Sequence, residues 1–83
     1  MDALNLQIRD ALQMRARLGR EIAAVKRTIG LPLPDAERER AMLAAIGADP
    51  GEGFDAAALR RIFQVVFDET RRAIRESDDG DER

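Results

Sequence analysis

A stripe of residues, apolar at every position except Arg15, runs through the first 29 positions and strongly limits how this chain can fold. Its members are separated alternately by four and three residues, which is the spacing of one face of a long amphipathic helix. At 1.5 Å per residue, this helix, predicted over residues 2–29, is about 42 Å long. The stripe comprises Leu4, Ile8, Ala11, Arg15, Leu18, Ile22, Val25 and Ile29.

Two further helices are predicted after this one, and no strand pattern competes with them. Gly30 ends the first helix, and the LPLP segment at Leu31–Pro34 cannot extend it because proline lacks a backbone donor. Asp35 is a suitable N-cap for a second helix, which Gly47 would end. The sequence therefore predicts an all-α fold.

A third helix is predicted to begin after the N-cap Asp55 and to end at about Arg75. Residues 1–75 then form one helical domain, and residues 76–83 form a charged tail. Because the second and third helices are predicted to be shorter than the first, they cannot cover both of its flanks. We therefore expect an intertwined homodimer in which the first helices pair across a two-fold axis.

The composition excludes several classes of function. The chain contains no Cys and no His, so thiolate or imidazole metal sites and histidine acid–base catalysis are unavailable, and we expect no metal and no cofactor. With no Trp, no Tyr and only three Phe, a nucleic-acid surface is not expected. No apolar run approaches the roughly 20 residues of a membrane span, and no signal peptide is visible. We expect a soluble cytoplasmic protein.

Several polar side chains are predicted to point toward the interior. Lys26 follows Arg15 by eleven residues, which is three helical turns plus about 20°, so the two cations share a face roughly 16 Å apart. An Arg–Glu pair inside a bundle is the alternative for Arg15, and Thr70 could simply bond back to its own helix. Together with Glu39, these residues suit a small anionic ligand that carries carboxylates and a hydroxyl.

The chain resembles the all-helical (type II) chorismate mutase family from about residue 4 to residue 70. The family pattern has an Arg, a Lys eleven residues later, and an Asp-x-x-Arg-Glu motif that begins nine residues after the Lys. The matching residues here are Arg15, Lys26, Asp35, Arg38 and Glu39, within the segments RARLGREIAAVK and GLPLPDAERERAML, with LRRIFQVVFDET following in the third helix.

The family converts chorismate into prephenate by a Claisen rearrangement, and the resemblance implies a dimer of three-helix chains with two equivalent pockets. It implies that Arg15 holds a substrate carboxylate and that Lys26 bonds the ether oxygen and a carboxylate. Glu39 would bond the ring hydroxyl, with help from the backbone near Asp35. Arg38 would support the pocket.

Thr70 stands where the family often has Ser near a carboxylate, but two positions depart from the family pattern. The family usually has Gln or Glu four residues after Thr70, where this chain has Ile74, which cannot donate to a developing oxyanion. Arg71 is a neighbouring candidate to substitute for it, although no pattern in the sequence favours Arg71. A further family Arg, which reaches into the partner's pocket, would lie just before Met1; a misassigned start would explain this, and a truly shortened protein with weaker binding is the alternative.

These departures keep alternative functions open beside a chorismate mutase of aromatic amino acid biosynthesis. One is an isochorismate lyase or an aminodeoxychorismate mutase with a similar pocket. Another is a weakly active dimerisation or regulatory module bound to a shikimate-pathway enzyme. The last is a structural helical dimer without a ligand.

Overall fold

The third helix is the element on which the other two pack in the computed structural model, which describes residues 1–31 and 36–81, with side chains as far as Ser77. Helix α1 spans Asp2–Thr28, α2 spans Ala36–Ala48 and α3 spans Ala56–Asp81. Helix α3 packs against both α1 and α2, whereas the backbones of α1 and α2 do not contact each other. These ranges contain no strand, and the all-α prediction is confirmed for them.

The predicted end of α3 was wrong, whereas the predicted ends of α1 and α2 each differ from the structure by one residue. Helix α3 continues to Asp81 instead of ending at about Arg75, and at 26 residues it is nearly as long as α1, which has 27. Ion pairs of Arg72 with Glu69 at 3.8 Å and with Glu76 at 3.2 Å support the helix as it passes the predicted end. Gly47 does not end α2 but lies inside it.

The end of α1 is a glycine cap that fixes the backbone of Lys26. Gly30 has a φ of +77°, a left-handed conformation that glycine adopts without strain. The amide of Leu31 donates to the carbonyl of Lys26 at 2.7 Å, and the amide of Gly30 donates to the carbonyl of Arg27 at 3.3 Å. This is a Schellman arrangement, and it places Lys26 in the last turn of the helix.

The start of α3 is capped as predicted. The Asp55 carboxylate accepts a hydrogen bond from the backbone amide of Ala58 at 2.8 Å, which satisfies one of the free amides of the first turn. The corresponding prediction for Asp35 at the start of α2 lies outside the described residues.

The buried core of the chain is very small. The molecule measures 44 × 31 × 15 Å, so its thinnest dimension is close to the 10–12 Å diameter of roughly one helix layer. Among the described residues, the buried apolar side chains are Ala23, Phe67 and Ile74. Along α1, Leu18, Ile22 and many other stripe residues remain about half exposed. None of the described helices has an apolar stretch long enough to cross a membrane.

Candidate functional site

A cavity of about 280 Å³ lies where the three helices converge. Helix α1 supplies one wall, the first turns of α2 supply the second, and the middle of α3 supplies the third. Six of the seven residues predicted for the site line this cavity, whereas Asp35 lies outside the described residues. The six are Arg15, Lys26, Arg38, Glu39, Thr70 and Ile74.

Arg15 is held by an aromatic ring and a hydroxyl. Its guanidinium carbon lies 5.0 Å from the centre of the Phe67 ring, a distance at which the ring face attracts a cation. One of its Nη atoms donates to Thr70 Oγ1 at 3.2 Å. No carboxylate among residues 1–31 and 36–77 forms an ion pair with Arg15, so the alternative of a structural Arg–Glu pair does not describe this side chain.

Thr70 connects Arg15 to the backbone of α3. Its hydroxyl donates to the carbonyl of Val66 at 2.7 Å and accepts the hydrogen bond from Arg15. The first of these is a hydrogen bond from Thr70 back to its own helix, which the sequence analysis gave as the alternative role of this residue. It also fixes the rotamer of Thr70. The hydroxyl oxygen is therefore oriented toward α1, where it helps to position the guanidinium.

Lys26 forms the second cationic point of the cavity wall. The side chain is half-buried, and no carboxylate in the described part of the chain pairs with it. Its place in the last turn of α1 is favourable because the carbonyl end of a helix carries partial negative charge. Lys26 is therefore available to an anion inside the cavity.

Glu39 faces these cations from α2 and is bound by a residue to which sequence reasoning gave no clear role. Arg71 donates one hydrogen bond to Glu39 and another to Asp68. The hydrogen bond to Glu39 raises the pKa of Arg71 above its usual value, with burial opposing and the charges of both carboxylates adding to the rise. Arg71 lies three residues before Ile74 on the same helical face, and that spacing was the available sign that it reaches the cavity.

Gly19 is a second residue that sequence reasoning did not single out. A Cβ at this position would lie 3.0 Å from Thr70 Cγ2 and 3.9 Å from Ile74 Cδ1. The missing side chain thus lets α1 approach α3 closely beneath the cavity, and the approach brings Arg15 within reach of Thr70.

Ile74 forms an apolar part of the cavity wall. Only 8% of its surface is exposed, and it lies next to Gly19 of α1. The structure therefore puts a hydrocarbon side chain at the position where the family usually has a polar one. The apolar side chain helps to join the two helices but provides no hydrogen bond to a ligand.

The charges that line the cavity favour an anionic ligand. Among the described residues that line it, four cationic side chains, Arg15, Lys26, Arg38 and Arg71, face a single carboxylate, Glu39. Cations grouped around a partly enclosed cavity raise the local concentration of anions. The arrangement can hold a small molecule with two negative groups and leaves one carboxylate to accept a hydrogen bond from it.

Comparison with known proteins agrees with this geometry. Residues 1–75 match the family model described as chorismate mutase type II. No curated protein sequence matches the chain significantly. The matched range includes every residue that lines the cavity.

Proposed function

The chain belongs to the type II chorismate mutase family, and on that premise we propose that it converts chorismate into prephenate. We place this isomerase activity in aromatic amino acid biosynthesis, in the cytoplasm. The observation that carries the proposal is the cavity itself, in which Arg15 and Lys26 lack carboxylate partners among the described residues and face Glu39.

The reaction suits the residues of this chain. A Claisen rearrangement breaks a C–O bond and forms a C–C bond in one step, so it requires no nucleophile and no proton transfer. The protein has to hold the folded conformer of the substrate and to stabilise negative charge that develops on the ether oxygen. A chain without Cys or His can supply both effects through fixed cations.

Each cavity residue receives a role by its position. Arg15, held by Phe67 and Thr70, binds a substrate carboxylate. Lys26 donates to the ether oxygen and to a carboxylate, so its bond strengthens as the C–O bond breaks. Glu39 accepts a hydrogen bond from the ring hydroxyl.

Three positions support this central group. Arg38 lines the cavity beside Glu39 and adds positive charge for the substrate. The backbone near Asp35 assists in binding the ring hydroxyl. Thr70 lies near the substrate carboxylate and holds Arg15.

Ile74 supports a second candidate function. Because this buried side chain cannot donate a hydrogen bond to the ether oxygen, position 74 of α3 adds no second donor to the one from Lys26. A slow enzyme is the expected result, and a dimerisation or regulatory module for a shikimate-pathway enzyme is the alternative role. The two functions differ in whether the purified chain turns over chorismate.

We also propose that the chain functions as a homodimer. The layer is only 15 Å thick, and Leu18, Ile22 and Val25 of α1 are 47%, 50% and 60% exposed. Pairing this stripe with a second copy would bury it, and the hydrophobic effect favours that burial. Sedimentation should give twice the chain mass of 9.2 kDa, and Val25→Asp should give the monomer. Ala24→Asp, on an adjacent exposed position outside the stripe, is the matched control.

The activity is tested by following the loss of chorismate absorbance with the purified chain and with Lys26→Ala. Removing one donor to a developing oxyanion typically costs about 10²–10³ in rate, and we expect a loss of that size. Arg17→Ala is the control, because this exposed cation lies two residues from Arg15, about 200° around the helix. Turnover that survives Lys26→Ala unchanged would contradict the proposed role, and no turnover by the wild-type chain would contradict the enzymatic proposal.

A further inference from the structure

Glu39 is the only carboxylate among the described residues that line the cavity, and it accepts a hydrogen bond from Arg71. A second carboxylate, that of Asp68, also binds the Arg71 guanidinium. Arg71 donates through Nη1 to Oε1 of Glu39 and through Nη2 to Oδ1 of Asp68. Asp68 does not line the cavity, and 54% of its side chain is exposed. Asp68 therefore holds the Arg71 guanidinium from outside the cavity, while Glu39 binds the same guanidinium at the cavity wall.

This double anchoring has two consequences for Glu39. First, Oε1 is already occupied, so Oε2 is the oxygen with the greater capacity to accept from a ligand. Second, the charge of Arg71 offsets part of the charge of Glu39 in a region where water is partly excluded, since only 21% of the Glu39 side chain is exposed, whereas solvent screens Asp68, which is 54% exposed. A ligand group at Oε2 therefore meets a good acceptor with a reduced negative charge.

A hydroxyl and an ammonium respond differently to such an acceptor. A neutral hydroxyl needs only the lone pair of Oε2, and it gains little from a net charge. An ammonium gains most from an isolated carboxylate, and here the attraction is opposed by the adjacent guanidinium.

We propose that Arg71 is a specificity-determining residue, which makes the cavity prefer a substrate with a ring hydroxyl over the analogue with a ring ammonium. The inference rests on the proposed function, because it assigns the ring substituent to Glu39. It goes beyond that function by distinguishing chorismate from its 4-amino counterpart. Arg71 acts through Glu39, so its removal changes selectivity more than it changes the rearrangement itself.

The test compares kcat/KM for chorismate and for 4-amino-4-deoxychorismate in the wild-type chain and in three variants of Arg71. Arg71→Met removes the charge and the hydrogen bond, Arg71→Gln removes the charge but keeps a donor, and Arg71→Lys keeps the charge. The Arg71 side chain is 34% exposed, so solvent screens part of its effect. We therefore expect the ratio of kcat/KM for chorismate to kcat/KM for the 4-amino analogue to fall about tenfold. Arg71→Met and Arg71→Gln should both show this loss, whereas Arg71→Lys should retain most of the preference.

Arg72→Met is the matched control for these variants. Arg72 is the next residue of α3, 63% exposed, and its ion pairs with Glu69 and Glu76 lie outside the cavity. The ratio of the kcat/KM values for the two substrates in Arg72→Met should equal that of the wild-type chain. Circular dichroism of each variant shows whether α3 remains folded, and Arg71→Gln provides the result if Arg71→Met does not fold.

The outcomes separate this inference from the function on which it rests. A wild-type chain that does not turn over chorismate overturns the proposed function and this inference with it. Turnover with a ratio that is the same in the wild-type chain, Arg71→Met and Arg71→Gln overturns this inference alone. Equal losses for both substrates also overturn it, because they assign Arg71 a purely structural role.

Discussion

The close approach of α1 to α3 at Gly19 leads to a quantitative prediction about stability. In Gly19→Ala, the new Cβ would lie 3.0 Å from Thr70 Cγ2, which is well inside the normal contact distance of about 3.5–4.0 Å between carbon atoms. Thr70 cannot turn its methyl group away without losing hydrogen bonds, because its hydroxyl donates to the Val66 carbonyl and accepts from Arg15. The helices must separate or Thr70 must give up these bonds.

Two opposing effects determine how much Gly19→Ala changes the free energy of unfolding. Alanine is favoured over glycine in the interior of a helix by about 1 kcal/mol. Inserting a methyl group into a packed contact typically costs about 1–3 kcal/mol. We therefore expect the free energy of unfolding of Gly19→Ala to fall by as much as about 2 kcal/mol. Thr70→Ser removes the opposing methyl group and keeps the hydroxyl, so Gly19→Ala should be stabilising in that background by about 1 kcal/mol.

A double-mutant cycle measured by urea denaturation tests this reasoning. The four chains are the wild type, both single variants and the double variant, at one protein concentration because assembly would add to stability. A coupling free energy of about 1–3 kcal/mol is expected between Gly19 and Thr70. Unchanged m-values would show that the transitions are comparable. If Gly19→Ala has the same effect in both backgrounds, contact with the Thr70 methyl group is not the cause of the change in stability.

Two further predictions concern the glycine cap of α1 and the apolar wall of the cavity. Gly30→Ala should lower the free energy of unfolding by about 1–2 kcal/mol, because φ is +77° and a left-handed L-residue is strained; equal urea midpoints for variant and wild type would contradict this. Ile74→Gln should raise kcat for chorismate by supplying a donor to the ether oxygen, and it should lower the free energy of unfolding by about 1–3 kcal/mol because a buried amide is imperfectly satisfied. A kcat at or below the wild-type value would show that Ile74 does not limit the rate.

The predictable part of the fold was the part governed by local signals. The four-three spacing of apolar residues gave α1 almost to its last residue, and Asp55 marked the start of α3. The end of α3 was missed because the charged run from Glu76 onward looks like a solvated tail. Glu76 instead pairs with Arg72, four residues earlier in the helix, and this pairing helps to extend α3 past its predicted end.

The predictable part of the site consisted of residues that stand out against an apolar stripe and of positions, such as Arg38 and Ile74, that match or depart from the family pattern. Arg15 was noticeable because a cation occupied a stripe position, and the structure brings it to the same cavity as Lys26 and Glu39. Arg71 and Gly19 did not stand out, because their importance depends on which residues of other helices approach them. Such contacts are set by helix packing, which the periodicity of a single segment does not contain.

We propose that Arg15, Lys26 and Glu39 surround one small dianion, and calorimetry can test this by measuring the dissociation constant of prephenate. Hydrogen bonds to charged groups contribute about 1.5–3 kcal/mol each, which corresponds to roughly 10–100-fold in Kd. We expect saturable binding of one prephenate per chain, a loss of that size in Arg15→Ala, and wild-type affinity in Arg17→Ala. Equal affinity of the wild-type chain and Arg15→Ala, or no saturable binding at all, would contradict the account.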